Sequence, residues 1–278
     1  MTHTNGIQHS GGVIMSDPYM PLTSIRSGTG FEAAKGVHGL TVQIANVYFI
    51  QLPSEPHSFV LIDAGMPQSA GMIVNEAKQR FGEGFQLKAI ILTHGHFDHI
   101  GAIEEILEHW DVPVYVHSRE MPYVTGKEDY PPARPDSKSG LVAKLSPLFP
   151  RHSIDISSHV QALPEDGSVP FLDEWMWIAT PGHTPGHISL FRDDGRVLVA
   201  GDAVITVEQE KMADVLIQKQ ELHGPPAYFT PDTETAAESI LKLAGLEPEA
   251  LLTGHGIPMT GKNFRSDLTE LANRLSSI

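Results

Sequence analysis

Thr93-His94-Gly95-His96-Phe97-Asp98-His99 follows directly on the apolar run Ala89-Ile90-Ile91-Leu92 and precedes Ile100-Gly101-Ala102-Ile103-Glu104-Glu105-Ile106-Leu107. The apolar run reads as a buried strand, and the segment after it has helical period. The stretch is therefore a strand turning into a helix, the unit from which α/β folds are built. Four metal-binding side chains, His94, His96, Asp98 and His99, crowd into that turn. In extended backbone, side chains alternate, which predicts His94, His96 and Asp98 on one side and His99 on the other. Two neighbouring metal ions can share such a segment.

Upstream, residues 41–50 predict one strand and residues 58–63 another, separated by a Pro-bearing turn at 53–57, with a helix from about 70 to 80. Downstream, a strand at 112–117 gives way to residues 119–152, where Pro, Gly and charge break the pattern around a short helix at 141–145. This segment is expected to be an insertion that covers the site or a solvated loop. Strands resume at 175–179, 187–191 and 196–200. A helix at 232–243, a strand at 250–252 and a helix at 263–275 close the chain. The alternation points to an α/β sheet without long-period repeats.

The chain has 278 residues, 41% hydrophobic and 19% charged, a composition that fits a single globular domain over residues 1–278. A formal charge of −15 argues against nucleic acid or an anionic membrane surface as a partner. There is no cysteine, which excludes disulfides, thiolate metal sites and a cysteine nucleophile. Any metal must be held by His, Asp and Glu. The polar, Gly-rich start carries no leader pattern and no apolar run is long enough to span a bilayer. A cytoplasmic protein is expected, with residues 1–20 flexible or peripheral.

Three further positions share one form, an apolar strand-like run ending in a turn with a ligand-type residue. His183 follows residues 178–179 within Thr180-Pro181-Gly182-His183-Thr184-Pro185-Gly186-His187. Asp202 follows Val197-Leu198-Val199-Ala200-Gly201, and His255 follows Leu251-Leu252-Thr253-Gly254. Ligands at the ends of several strands can converge. In this respect the sequence resembles the metallo-β-lactamase-fold superfamily, whose pattern is His-x-His-x-Asp-His followed by a His, an Asp and a His. Asn46-Val47-Tyr48 and Leu61-Ile62-Asp63-Ala64-Gly65 resemble that superfamily's first strands. The likeness covers roughly residues 38–260, with 119–152 least matched.

The resemblance implies an αββα sandwich, two mixed sheets face to face with helices outside. It also implies a first metal held by His94, His96 and His183, a second held by Asp98, His99 and His255, and Asp202 bridging them. Two divalent ions are expected per chain, Zn²⁺ foremost, with Mn²⁺ or Fe²⁺ suited to the same ligands. Such a pair generates a bridging hydroxide near neutral pH that attacks an ester-like bond, and Asp98 orients it and passes a proton to the leaving group. Asp63 and His187 are expected behind the ligands, as residues that orient them.

Departures from particular members narrow the choice. Class B β-lactamases usually lack the bridging Asp, and their commonest form uses a cysteine ligand. Glyoxalase II adds a sizeable helical domain after its last ligand, ribonuclease Z needs an RNA-grasping arm, and flavodiiron proteins place Glu where His96 stands. The remaining likeness is to compact hydrolases, including N-acyl homoserine lactonases and organophosphate-ester hydrolases. The lactonases commonly carry a Tyr three residues beyond the bridging Asp, where this chain has Ile205, so a hydroxyl would come from Tyr123, Tyr130 or Tyr228. Met121, Tyr123, Phe149, Tyr228 and Phe229 are candidate walls of an apolar substrate pocket. The expected function is hydrolysis of a carboxylic ester or lactone in a small-molecule substrate, by a monomer or homodimer. The alternatives are a phosphoester, phosphotriester or thioester hydrolase and, in another class, a single-iron oxidoreductase similar to persulfide dioxygenases.

Overall fold

The computed structural model describes residues 23–135 and 140–276; the expectation for residues 1–20 lies outside them. The first half runs β1 (Gly30–Ala34), β2 (Val37–Val42), β3 (Ala45–Leu52), β4 (Glu55–Ile62), α1 (Ala70–Phe81), β5 (Gln86–Ile91), α2 (Phe97–Ile100), α3 (Ile103–His109) and β6 (Val114–Val116). Two short helices follow, α4 (Met121–Val124) and α5 (Leu141–Leu145), then β7 (Val160–Ala162), β8 (Trp175–Ala179), β9 (Ile188–Arg192) and β10 (Val197–Gly201). The chain ends through α6 (Met212–Ile217), α7 (Thr233–Ala244), β11 (Ala250–Thr253), β12 (Met259–Thr260) and α8 (Phe264–Leu275).

The strands form a seven-stranded sheet in the order β1-β2-β3-β4-β5-β6-β7 and a five-stranded sheet in the order β12-β11-β10-β9-β8. Both are mixed. The first is antiparallel up to β4 and parallel beyond it, while β10 and β11 are the parallel pair of the second. Along β3, Tyr48 and Ile50 turn towards the second sheet and pack with Ile188, Leu190, Val199 and Leu252, whereas Val47 and Phe49 turn outward. Both faces of such a strand are buried, so its sequence is nearly all apolar. Ile73, Ala77 and Phe81 of α1 cover the outer face with Ile103 and Ile106 of α3. On the other side, Ile240 and Leu243 of α7 and Leu268 and Leu271 of α8 cover Leu198 and Leu251. The layers are therefore αββα, as the resemblance implied.

One expected strand is in fact two. Residues 41–50 fold as a hairpin in which Val42 pairs with Ala45 across a tight turn at Gln43 and Ile44. Gln43 takes a left-handed conformation, φ 55°. The sequence hides the turn because neither residue is one of the Gly, Asn or Asp types that usually supply it. The short elements β1, β7, β12 and α6 were likewise not expected from the pattern. No helix among the described residues is long and apolar enough to cross a membrane.

Candidate metal centre

Asp63 follows β4, the His94 to His99 segment follows β5, His183 follows β8, Asp202 follows β10 and His255 follows β11. β4 and β5 run parallel, as do β10 and β11, and β8 regains the direction of β10 through β9. These turns consequently gather at one end of the sandwich, the crevice beyond the carboxyl ends of the strands. The two sheets are tied together there. Ile188 N–H donates to Thr93 O at 3.0 Å, and Asn46 Nδ2 donates to Thr253 O and Gly256 O at 3.0 and 2.8 Å. The Tyr48 hydroxyl also donates to Thr253 O, at 2.8 Å, which gives Asn46-Val47-Tyr48 its work, holding the loop that carries His255.

The expected split of the motif between two faces is corrected by α2. Phe97 begins a helical turn, so Asp98 and His99 are carried on helix rather than on extended backbone. Helical neighbours lie about 100° apart around the axis instead of opposite, and both reach the same centre.

Three groups of donor atoms come together there, with all atoms of each group within 4.8 Å of one another: His94, His96 and His183; His94, His99 and Asp202; and Asp98, His99 and His255. Asp202 lies between the two histidine sets. Its Oδ1 is 3.4 Å from His99 Nε2, and its Oδ2 is 3.6 Å from His183 Nε2 and 3.3 Å from His255 Nε2. Asp98 Oδ2 is 3.3 Å from His255 Nε2, and His96 Nδ1 is 3.0 Å from His183 Nε2.

Behind the donors, the protein fixes four imidazole tautomers. His99 Nδ1 donates to Asp63 at 2.8 Å and His255 Nδ1 to Ile44 O at 2.9 Å. Thr93 gives its hydroxyl proton to Asp63, so it receives His94 Nδ1–H at 3.0 Å; Thr230 gives its own to Pro226 O and receives His183 Nδ1–H at 3.2 Å. The Nε2 atoms of all four therefore face the centre. Among the described residues, His94 Nε2, His99 Nε2 and Asp202 Oδ1 are buried and make no hydrogen bond. Buried polar atoms are seldom left so. Bare imidazole nitrogens beside carboxylates, each backed by a hydrogen bond that sets its tautomer, fit divalent metal ions.

Electrostatics agrees. Burial holds His94 and His183 well below the ordinary imidazole pKa and brings His96 to about 4, so these three are neutral donors. For His99 and His255 burial acts the same way, but Asp202 with Asp63, and Asp202 with Asp98, overcome it. His99 is held well above its usual value and His255 is raised to about 10. Against their own burial, His255 and His99 in turn hold Asp202 well below the carboxylate range and lower Asp98. The acidic half of the cluster thus draws in positive charge.

His187 lies beside the donors, its ring 5.1 Å from that of His94, with neither ring nitrogen free for an ion. Its Nε2 accepts the backbone N–H of Asp202 at 2.9 Å, its Nδ1 donates to the Thr180 hydroxyl at 2.8 Å, and burial pushes it down to about 3. It steadies the turn that carries Asp202. Two cavities flank the centre. One of about 30 Å³ lies against Asp98 and is lined by Ile44, Phe97, Phe149, Gln209, Tyr228 and Phe229. The other, of about 100 Å³, lies against His96 and His183 and is lined by Tyr130, Arg134, Pro185, Tyr228 and Phe229. Phe149, Tyr228 and Phe229 are therefore walls, and residues 119–152 contribute Val142, Leu148, Phe149 and Pro150 to the cavity at Asp98. Met121 and Tyr123 line neither cavity. Met121 packs on the core beneath the first sheet, and Tyr123 stacks on Tyr130 with ring centres 3.9 Å apart. Gln209 and Glu120 were missed from the sequence, because an isolated Gln or Glu outside a spaced pattern carries no signal.

Residues 40–255 match the family model of the metallo-beta-lactamase superfamily, and the chain belongs to that superfamily. It is similar to the probable metallo-hydrolase YflN of Bacillus subtilis, at 98% identity over 264 residues that make up 95% of this chain and 100% of the relative. A second relative, the probable metallo-hydrolase YybB of the same organism, is 30% identical over 169 residues, 61% of this chain and 64% of the relative. Among solved structures, a metallo-beta-lactamase superfamily protein from the archaeon Sulfolobus tokodaii superposes with a TM-score of 0.57 at 22% identity. That match covers 86% of this chain and 85% of the other, and at this identity it speaks for the fold.

Proposed function

We propose that the chain is a dinuclear-metal hydrolase of ester-like bonds, acting on a carboxylic ester or lactone of a small molecule, with zinc as the favoured metal. The observation that carries this reading is the pair of donor triads, His94-His96-His183 and Asp98-His99-His255, with Asp202 between them. When bound, such a pair of ions lowers the pKa of water towards neutrality and polarises the bond under attack.

The residues of the chain supply the rest. Asp98 is the most exposed of the carboxylates, its side chain 13% accessible against 3% for Asp202, and it borders the apolar cavity. Its lowered pKa keeps it ionised at neutral pH, ready to take a proton at a free carboxylate oxygen and return it to the leaving group. Phe149, Tyr228 and Phe229 exclude water around an apolar substituent, and Tyr228, which lines both cavities, is the tyrosine offered as the hydroxyl donor to substrate. The naming of similar proteins as probable metallo-hydrolases supports hydrolysis over oxygen chemistry.

The test is purified, metal-loaded protein assayed against lactones, aryl esters, phosphotriesters and thioesters, with metal content and oxygen uptake measured in parallel. Two ions per chain and turnover of a lactone or aryl ester are expected, abolished in Asp202→Ala together with metal retention. A preference for phosphotriesters or thioesters would move the substrate class. One iron with oxygen consumption would overturn hydrolysis itself.

A further inference from the structure

Glu120 is wholly buried just before α4, outside the donor cluster. Its carboxylate accepts the backbone N–H of Gly95 at 3.2 Å on Oε2 and that of Gly186 at 2.7 Å on Oε1, and it also accepts the Tyr130 hydroxyl. Gly95 separates His94 from His96, and Gly186 lies on the loop from His183 to His187. One side chain thus joins the two segments that carry the first histidine triad. The approach is close: a Cβ on Gly186 would lie 2.8 Å from Glu120 Cγ and 2.9 Å from its backbone nitrogen.

Tyr130 completes the brace. Its oxygen also accepts the Gly95 N–H, at 2.9 Å, and its ring lies 4.5 Å from the His96 ring. These hydrogen bonds end at Gly95 and Gly186, on either side of the first triad's histidines, and none is made to Asp98, His99 or His255. His99 and His255 are steadied instead by Asp63 and the Ile44 carbonyl. A buried carboxylate is costly unless its lone pairs are filled by well-placed donors. Here every donor comes from the first triad's loops or from the tyrosine that packs on it.

We propose that Glu120 is a positioning residue that preforms the three-histidine half of the centre, setting His94 and His96 against His183 so that this half binds its ion tightly. The proposal rests on the dinuclear reading above. Orienting groups behind metal ligands commonly govern roughly 10- to 100-fold in metal affinity.

The experiment titrates metal-depleted wild type, Glu120→Ala, Glu120→Gln and Tyr130→Phe with Co²⁺, followed by its visible absorption, and with zinc against a chromophoric chelator. His183→Ala and His255→Ala serve as references for each half, and circular dichroism reports folding. Wild type should take up two ions. Glu120→Ala should lose roughly 10- to 100-fold in affinity for one ion and keep the other, leaving a Co²⁺ spectrum like that of His183→Ala. Glu120→Gln keeps one of the two acceptor oxygens and turns its amide N–H towards a donor at the other, so it should recover only part of the loss. Should Glu120→Ala fail to fold, Tyr130→Phe should show a smaller loss confined to the same ion. Equal weakening of both ions, or unchanged affinities in the folded variants, would overturn the role of Glu120 and leave the centre standing. A wild type that holds no ion would overturn both.

Discussion

Asp63 receives His99 Nδ1–H at 2.8 Å on one oxygen and the backbone N–H of Thr93 at 2.7 Å on the other, so a single carboxylate sets both the tautomer of His99 and the exit of β5. Asp63 sits at φ 60°, a left-handed conformation that Asp tolerates better than most residues. Asparagine would keep the shape and an acceptor for Thr93, but its amide faces His99 Nδ1 with a second donor. The His99 proton is then expected to move to Nε2, where it points into the centre. Asp63→Asn should therefore lose roughly 10- to 100-fold in affinity for the ion held by His99. Metal analysis after dialysis against graded chelator checks this; retention of both ions at wild-type affinity would show that the tautomer is set elsewhere.

Binding of metal should release protons. His255 has its pKa raised from 6.5 to about 10 and His99 well above its usual value, so both are protonated in metal-free protein at neutral pH. A cation must displace those protons to reach Nε2. Apparent affinity should rise with pH across the neutral range and level off as pH passes about 10, where His255 loses its proton unaided. For folding of the metal-free chain the sign is opposite. The His255 contribution is fully present below its unfolded pKa of about 6.5 and is lost as pH rises through about 10. Calorimetric titration in buffers of different ionisation enthalpy counts the protons, and a release of none would show that His99 and His255 are already neutral before metal arrives.

The centre was legible in the sequence because each donor is local, a ligand-type residue directly after an apolar strand, and the resemblance supplied their order. Asp63 was legible only through the resemblance, which puts its turn beside the donor loops, and His187 through its place in the Pro- and Gly-bearing turn after His183. Their partners were not. The Ile44 carbonyl that orients His255 lies 211 residues away in sequence, and the hairpin presenting it turns on Gln43, a residue with no turn signature. Glu120 acts by packing against two loops whose meeting depends on the finished fold, which no periodicity records. Tyr123 and Met121 show the converse. Their residue types suited a pocket, yet their positions on α4 turn one onto Tyr130 and the other into the core.

Gln209 sits at the wall of the cavity beside Asp98, with Nε2 buried and, among the described residues, without a hydrogen-bond acceptor. An unpaired buried amide costs about 1–3 kcal/mol, so Gln209→Leu should stabilise the fold. At roughly 2–4 °C per kcal/mol for a chain of this size, the melting temperature should rise by several degrees. If the amide serves the substrate, KM for the preferred ester should rise in the same variant with little change in kcat. Melting curves and steady-state kinetics measured together separate the two effects, and a stabilised variant with unaltered KM would remove Gln209 from the substrate site.

Gly254 is the point at which the centre tolerates no added atom. A Cβ there would stand 2.1 Å from Asp202 Oδ1 and 2.7 Å from His99 Cε1. The loop cannot retreat freely, because Asn46 N–H donates to Gly254 O at 2.7 Å and Gly254 N–H donates to Gly201 O at 2.9 Å. Gly254→Ala must therefore push Asp202 and His99 apart, and overpacking of this kind typically costs about 1–3 kcal/mol. The strain falls on the carboxylate shared by both triads, so both ions should be weakened together. Gly39→Ala gives the control: on β2 its Cβ would meet the Phe31 ring rather than any donor, 2.3 Å from Cζ, so it should destabilise the fold while sparing the metal stoichiometry. Comparing melting temperature with bound metal in the two variants checks the distinction, and loss of both ions in Gly39→Ala alone would place the sensitive contact outside the centre.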